Sequence, residues 1–355
     1  MNKLKTYTDT ENRFLEIFNP QNGFYLRTGV LDQSGKDTGV DPFLRNFPSL
    51  LDIGIMGHCA HGLSGLCLKS GTECYQDGLN IKKSNMTLEN FKIIADQCEN
   101  KTFQFALGGR GDANKHESFE DILTYAFSKG IVCNYTTSGL GLTDREVDIT
   151  KEFCGACAVS EYRGSYTRKA IELLVKKGVK TNIHFVLGNN TIDDAIEKLK
   201  NNNIDKGVNA IIFLLHKPIG LGSWNNVLLA TDPRVKIFYE IVDKKIFDFK
   251  IGFDSCSCSG IVNFTKNIVP ETIEPCESGR HSAYIDADMN IMPCSFCNQD
   301  KNYFVNLNKY SISDAWYSKP FIDFREKQKN SCPDCKLKEY CLPCGAINGI
   351  SLCRK

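Results

Sequence analysis

The chain has 355 residues, enough for about two domains or for one large α/β barrel with an appended region. Its 43 basic and 42 acidic residues nearly balance, so its charge predicts neither a nucleic-acid partner nor an anionic membrane partner. No apolar run reaches the roughly 18 residues of a membrane span, and the N-terminal stretch MNKLKTYTDTENRF lacks the apolar core of a signal peptide. We therefore expect a cytoplasmic protein.

Strand and helix patterns alternate along residues 48–250. Residues 1–47 precede them as a separate N-terminal segment, in which 22–30 (NGFYLRTGV) favour a strand or hairpin. Apolar runs predict strands at 50–56, 103–109, 131–139, 157–162, 181–188 and 208–216. Helical periodicity predicts helices at 87–98, 118–130, 166–178 and 191–200. Lone strands that alternate with helices imply a parallel α/β barrel, whose function lies at the carboxyl ends of its strands.

The 17 cysteines are the feature of the composition that needs an explanation. The cytosol keeps thiols reduced, so clustered cysteines in such a chain indicate metal ligation rather than disulfides. Four cysteines stand apart from the clusters and are expected to be buried small apolar residues: Cys98, Cys133, Cys154 and Cys157. The last two form a CxxC pair, for which a redox or metal role is the less favoured alternative.

Three cysteines follow the first barrel strand and therefore lie on the functional edge of the barrel. Cys59, Cys67 and Cys74 are separated by seven and then six residues within IMGHCAHGLSGLCLKSGTECYQDG. The neighbouring His58 and His61 are alternative ligands, although solvated loop histidines are the more common case.

This arrangement resembles the radical S-adenosylmethionine (radical SAM) superfamily, whose partial (β/α)6 TIM-like barrel carries three cluster cysteines after its first strand. The resemblance implies that Cys59, Cys67 and Cys74 hold a [4Fe-4S] cluster and leave one iron open for S-adenosylmethionine. Soft thiolates suit such clusters, whereas a structural zinc ion would take four ligands. The family's usual spacing is CxxxCxxC, so the loop around Cys67 is enlarged here.

Other positions at the strand ends resemble the nucleoside-binding stretches of the family. GGRG at 108–111 stands where the family has Gly-Gly-Glu, with Arg110 in place of the acid. TTSG at 136–139 resembles Thr-Asn-Gly, and HKPIGLGS at 216–223 has turn glycines expected beside the adenosyl group. Ser160, Arg163 and Arg168 resemble the groups that hold the methionyl carboxylate. Taken singly each has a plain alternative, such as a tight turn at 108–109. The resemblance assigns these residues to S-adenosylmethionine: Tyr75, Gly108, Gly109, Ser138, Ser160 and Arg168.

Residues 251–355 differ in composition, because cysteines crowd there and the helical periodicity fades. CPDCKLKEYCLPC at 332–344 has the spacing CxxCxxxxxCxxC, which is too regular for chance. It resembles the SPASM extension, a seven-cysteine region that binds auxiliary iron–sulfur clusters. The strand AYIDADMNIMPC at 283–294 fits the first part of that pattern, with Met289 where the pattern has glycine. The combined resemblance covers residues 48–355.

The ligand allocation of that family implies two auxiliary clusters. One cluster takes Cys332, Cys335, Cys341 and Cys353. The other takes Cys276, Cys294 and Cys344, and its fourth ligand is left open between Cys256, Cys258 and Cys297. The fourth ligand is alternatively missing, which would leave an iron free for a substrate thiolate. A pair of zinc knuckles is the other interpretation of this region.

The resemblance implies that the protein generates a 5'-deoxyadenosyl radical and oxidatively modifies or crosslinks a peptide or protein, as maturases of ribosomally made peptides do. A flavodoxin or ferredoxin would be the electron donor. The N-terminal segment is shorter than a winged-helix leader-binding module, and Ser295 stands where sulfatase-maturing enzymes have aspartate.

Asp254, near the end of a seventh strand, is a candidate proton acceptor or else a turn residue. The alternatives for function are an oxidoreductase of a small molecule and, less favoured, a non-catalytic metal-binding scaffold.

Overall fold

The computed structural model describes residues 4–161, 164–269, 272–338 and 340–353. Its strands are β1 (Lys5–Asp9), β2 (Phe14–Phe18), β3 (Tyr25–Arg27), β4 (Leu50–Met56), β5 (Gln104–Gly109), β6 (Val132–Thr137), β7 (Cys154–Ser160), β8 (Thr181–Leu187), β9 (Ala210–Leu215), β10 (Lys250–Phe253), β11 (Ser282–Ile285), β12 (Asn290–Met292) and β13 (Val305–Asn306). Its α-helices are α1 (Ala60–Ser64), α2 (Leu66–Lys69), α3 (Leu88–Cys98), α4 (Phe119–Ser128), α5 (Asp144–Phe153), α6 (Ser165–Lys176), α7 (Ile192–Lys200), α8 (Pro233–Lys244), α9 (Cys258–Phe264), α10 (Ile312–Trp316) and α11 (Lys319–Asn330).

One large sheet organises the described residues. Its ten strands follow the order β10-β9-β8-β7-β6-β5-β4-β11-β12-β13, and every pair from β10 to β11 is parallel. Helices α3 to α8 alternate with strands β4 to β10 along the chain. This confirms the predicted partial barrel followed by a cysteine-rich C-terminal region. All predicted barrel strands and helices are present, whereas α5 and α8 were not indicated by the sequence patterns.

The barrel strand β8 alternates strictly between buried and partly buried residues, and β9 does so over most of its length. In β8, for example, Ile183 and Phe185 are buried against the helices, while Asn182 and His184 are only partly buried. Because successive side chains of a strand point to opposite faces, the partly exposed set lines the inside of the barrel. The barrel interior, which we call the chamber, is therefore lined by polar and apolar side chains together, since Ile212 of β9 lies beside His184 and Leu214 lies beside Val186.

A small antiparallel sheet of β1, β2 and β3 covers the amino-terminal ends of the barrel strands. Phe18 stacks on Phe103, which directly precedes β5, with 5.5 Å between the ring centroids. A fully buried ion pair joins Glu16 to Arg45, at 2.7 Å between Oε2 and Nε. The segment 22–30, expected to form a strand or hairpin, contributes β3, but β1 and β2 were not predicted. This sheet lies at the end of the barrel opposite to the cysteines that follow β4.

The C-terminal region extends the barrel sheet. β11 pairs in parallel with β4, in the register Ser282 to Leu50 and Ile285 to Ile53. The single strand expected at 283–294 is instead a hairpin of β11 and β12, because the chain turns at 286–289. Met289 has φ of 65°, the left-handed conformation that favours glycine, at the position where the SPASM pattern has glycine. No helix within the described ranges is both long and apolar enough to cross a membrane.

Candidate functional site

The three cysteines after β4 lie on the carboxyl edge of the sheet, as predicted. Cys59 precedes α1, Cys67 lies in α2, and Cys74 lies in the loop that follows. A methyl group built on Gly78 would lie 3.7 Å from the sulfur atoms of both Cys59 and Cys74. Glycine at this position therefore leaves open the space between the two thiols. Cys67 sits in the enlarged part of the loop, near Tyr166.

The loop that carries Cys74 is docked on the loop after β9. The backbone N–H of Leu221 donates to the Cys74 carbonyl at 2.9 Å. The Glu73 carboxylate accepts from the Ser223 backbone N–H at 2.8 Å and from the Ser223 hydroxyl at 2.9 Å. Gly220 has φ of 65°, and a methyl group there would lie 2.4 Å from the Tyr75 carbonyl oxygen. Residues 216–223 were predicted to lie beside the adenosyl group. The structure shows that they also contact and support the loop that carries Cys74.

A buried polar network ties together the loops after β4, β5 and β6. The Asp112 carboxylate accepts from the Ser138 backbone N–H at 2.7 Å and from the Ser138 hydroxyl at 2.6 Å. His61 Nε2 lies 3.0 Å from the same carboxylate and 2.8 Å from the Ser138 hydroxyl. His61 is only 9 % exposed, so the expectation of a solvated loop histidine is wrong for it. His58 is partly buried, and its Nδ1 lies 3.2 Å from the Lys83 carbonyl oxygen.

The sequence patterns did not indicate Asp112, which directly follows the GGRG stretch at 108–111. Arg110, at the position of the family's acid, turns its side chain away and donates from Nε to the Gln76 carbonyl at 3.0 Å. The carboxylate on this edge is instead supplied two residues later. The only hint in the sequence was the aspartate in GGRGD, two residues after the position of the family's acid. Its partners His61 and Ser138 follow other strands, so no local pattern links them to Asp112.

The residues assigned to S-adenosylmethionine stand at the ends of β5, β6 and β7. A methyl group on Gly108 would meet no atom within 4 Å, whereas one on Gly109 (φ of 110°) would lie 2.5 Å from the Met56 carbonyl oxygen. Gly108 therefore faces open space, and Gly109 allows β5 to approach β4 closely. Ser160 ends β7 and is partly buried.

Arg168 lies in the first turn of α6, where its guanidinium pairs with Glu161 and Asp205. Arg163, which shared its predicted role, lies outside the described residues.

An aromatic and charged group of residues lies between the two cysteine-bearing regions. The Tyr75 ring lies 5.0 Å from that of Phe296, between Cys294 and Cys297 in the C-terminal region. The Lys217 ammonium is 4.7 Å from the centre of the same Phe296 ring and pairs with Asp254. Asp254 also accepts from the Ser257 hydroxyl at 2.7 Å and from the Leu215 backbone N–H at 3.2 Å. Asp254 therefore caps the turn after β10, which was the alternative interpretation of this residue. Lys217, missed from the sequence, is 5 % exposed.

Two ionisable side chains of the barrel interior have pKa values displaced by burial. Burial raises the pKa of Asp52, in β4, to about 6, because the charged carboxylate loses its hydration. Burial lowers the pKa of His184, in β8, to about 4, against a smaller opposing effect of Asp254. His184 Nδ1 lies 3.2 Å from the Thr136 hydroxyl. At neutral pH the chamber therefore contains a neutral imidazole.

The C-terminal cysteines form two groups. We call Cys276, Cys294 and Cys344 the first auxiliary group, and Cys332, Cys335, Cys341 and Cys353 the second auxiliary group. Burial, followed by the charges of the other two members, raises the pKa of Cys294 to about 12. Burial, followed by the charges of the other three members, raises the pKa of Cys341 to about 12. The members of each implied set thus lie near enough for their charges to act on Cys294 and Cys341, but Cys276 also acts on Cys341, and Cys294 and Cys344 also act on Cys297. The division into two ligand sets stays a prediction.

Both auxiliary groups consist of thiols, the donors that iron–sulfur clusters take. In the described ranges, no group of three or more His, Cys, Asp or Glu side chains is placed to hold a single metal ion. Cys98, Cys133 and Cys157 are buried and Cys154 is partly buried, which agrees with their expected apolar role.

Comparison with known proteins places this chain. Residues 276–336 match the family model of SPASM, described as an iron–sulfur cluster-binding domain. SuiB of Streptococcus suis bound to S-adenosylmethionine matches with a TM-score of 0.63 and 15 % identity, over 84 % of this chain and 73 % of that one. SuiB bound to the precursor peptide SuiA matches with a TM-score of 0.72 and 13 % identity, over 99 % of this chain and 100 % of that one. The structure of anSMEcpe with bound AdoMet and Cp18Cys peptide matches with a TM-score of 0.57 and 15 % identity, over 83 % of this chain and 88 % of that one.

The fold and the cysteine-rich region together show what this chain is similar to. It shares its fold with SuiB and anSMEcpe, and its residues 276–336 match the SPASM iron–sulfur cluster-binding domain. The resemblance inferred from the cysteines is therefore confirmed, and so is the expectation of iron–sulfur clusters as cofactors.

Proposed function

We propose that this protein is a radical SAM oxidoreductase that modifies a peptide. The observation that carries the proposal is the contact of Tyr75 with Phe296, which sets the edge with Cys59 and Cys74 against the first auxiliary group across one chamber. Both similar proteins with bound peptides share the fold. A flavodoxin or ferredoxin is the proposed electron donor.

S-adenosylmethionine is proposed to bind above the ends of β5, β6 and β7, where Gly108 faces open space. Gly109, Ser138 and Ser160 line that edge. Arg168, which pairs with Glu161 and Asp205 in this structure, would exchange one of these partners for the methionyl carboxylate. Cys59, Cys67 and Cys74 would hold the cluster, and S-adenosylmethionine bound beside it would supply a 5'-deoxyadenosyl radical for hydrogen-atom abstraction from a substrate carbon.

The residues of this chain then hold the substrate and exclude water. Tyr75 and Phe296 give the chamber an apolar wall, while Lys217 and Asp254 place a charged pair at its edge. The Asp254 carboxylate is the proposed acceptor of the proton that the substrate radical releases, and the cluster that the first auxiliary group would hold is the proposed acceptor of its remaining electron. Its bonds from Ser257 and Leu215 fix its orientation.

An adjoining cavity supports a peptide as the substrate. A space of about 1020 Å3 lies beside β10, the end strand of the sheet, and is lined by apolar side chains such as Phe249, Ile251 and Ile273. Glu274 and Glu277 also line it; burial raises the pKa of Glu274 to about 7, and Glu277 pairs with Arg27 at 2.9 Å. An extended peptide can add to a strand edge through backbone hydrogen bonds, and its side chains can fill the adjoining pocket.

The test is to incubate the anaerobic protein with S-adenosylmethionine, a reductant and the peptide encoded beside its gene, and to measure the peptide mass. We expect a loss of two mass units, together with 5'-deoxyadenosine. The control is a variant with Cys59, Cys67 and Cys74 all replaced by alanine, which should keep auxiliary iron but form no 5'-deoxyadenosine. Oxidation of a sugar or other metabolite, with every candidate peptide unchanged, would reject the peptide and favour a small-molecule oxidoreductase.

A further inference from the structure

One carboxylate of the barrel interior has no role in the proposed reaction. Asp52 is the third residue of β4, and its neighbours Leu51 and Ile53 are fully buried in the core formed with the helices. Because successive side chains of a strand point to opposite faces, the partly buried Asp52 faces the chamber. Leu50, on the same face, lines the large cavity beside β10, so that cavity reaches the face of β4 that carries Asp52.

No positive group within the described ranges neutralises this carboxylate. Asp52 forms no ion pair or side-chain hydrogen bond in that part of the chain, and no charged group there opposes the effect of burial on its pKa. Lys217, at the edge of the chamber, is paired with Asp254. The residues level with Asp52 on the next three strands are all uncharged: Ala106, Asn134 and Ala156. A buried carboxylate without a partner is costly, and proteins ordinarily pair it with a cation.

Asp52 lies too deep in the barrel for S-adenosylmethionine. The nucleoside is proposed to bind above the carboxyl ends of β5, β6 and β7, and β4 ends on the same edge at Met56. Asp52 precedes Met56 by four residues, which corresponds to roughly 13 Å of strand. The charge of Asp52 acts on Tyr75, whose ring belongs to the apolar wall of the chamber. A ligand of this carboxylate would therefore enter the chamber as part of the substrate.

We propose that Asp52 binds the positively charged side chain of a lysine or arginine in the substrate peptide. This inference rests on the proposed function, because it presumes a peptide, and it names the class of residue that the peptide presents to the chamber. The amine or guanidinium supplies the positive charge and the N–H donors that the carboxylate lacks, while the aliphatic stem lies along apolar side chains. Without a bound cation the unpaired carboxylate destabilises the folded protein.

The experiment measures the binding of short probe peptides to the reconstituted protein, with S-adenosylmethionine present and without a reductant. The probes are acetyl-Ala-Lys-Ala-amide, its arginine counterpart and, as an uncharged control of similar shape, its norleucine counterpart. We expect the lysine or the arginine probe to bind about 10–100-fold more tightly than the norleucine probe at neutral pH, the range for one hydrogen bond to a charged group. The tighter of the two identifies the side chain. Asp52→Asn should abolish the preference.

Glu274→Gln is the matched control and should retain the preference, because Glu274 lines the cavity beside β10 but lies outside the barrel strands. Loss of the preference in Glu274→Gln and not in Asp52→Asn would overturn the inference, as would equal or undetectable binding of all three probes. Weaker binding of S-adenosylmethionine in Asp52→Asn, with the probes unaffected, would assign the carboxylate to the nucleoside and would also overturn it. Iron content and unfolding by urea verify that both variants are folded. The assay requires no turnover, so its failure is distinct from failure of the proposed function.

Discussion

Asp112 offers the sharpest test of how the site is held together. Its carboxylate accepts three hydrogen bonds, two from Ser138 and one from His61, and it is 9 % exposed. Bonds to a charged group contribute about 1.5–3 kcal/mol each, but removing the carboxylate also relieves its desolvation, so Asp112→Ala should cost a net ~2–4 kcal/mol. Asp112→Asn keeps the acceptor for the Ser138 N–H and should cost about 1 kcal/mol.

The assay combines unfolding by urea of the cluster-free protein with iron content after reconstitution. We expect Asp112→Ala to lower the unfolding midpoint and to lose the cluster of Cys59, Cys67 and Cys74, because His61 anchors that loop. The matched control is Asp323→Ala, which removes an exposed carboxylate paired with Lys319. If the two alanine variants agree within about 0.5 kcal/mol and both keep the cluster, the network does not anchor the loop.

Three further predictions follow from the same geometry. Asp52→Asn should stabilise the fold by about 1–2 kcal/mol above pH 6 and should have no effect below pH 4. Because burial raises the pKa of Asp52, the ionised carboxylate destabilises the folded state increasingly as the pH rises between these two values. The measurement is the free energy of unfolding of the variant and of the wild type as a function of pH. Gly220→Ala should weaken the docking of the Cys74 loop and so reduce the iron content of the reconstituted protein. Gly35→Ala should not, because Gly35 also has a positive φ but a methyl group there would meet no atom within 4 Å. The reconstituted protein should contain about twelve iron atoms per chain. A content of about four iron atoms, with zinc bound at the other cysteines, would favour zinc knuckles instead.

The sequence was sufficient for the barrel because its strands are short apolar runs set between amphipathic helices. The spacing CxxCxxxxxCxxC is a local pattern, so the sequence was also sufficient to mark the C-terminal thiols as a cluster-binding region, whereas their division into two groups came from the resemblance. Contacts between distant segments were not accessible in this way. Asp112 and His61 are 51 residues apart, and the pairing of β11 with β4 joins segments more than 200 residues apart. Lys217 lies in a stretch noted for its turn glycines, and only the fold brings it to Asp254 and Phe296.

The pairing of β11 with β4 fixes the two cysteine-bearing edges relative to each other. β4 leads directly into Cys59, and the hairpin of β11 and β12 leads into Cys294. Gln76, two residues after Cys74, adds a second link, because its amide nitrogen donates to the Tyr284 hydroxyl at 3.2 Å and its oxygen accepts from Asn298 at 3.0 Å. Opening the chamber on this side would break sheet hydrogen bonds and a buried amide network together. We therefore expect the substrate to enter from the opposite side, where β10 ends the sheet and the large cavity lies.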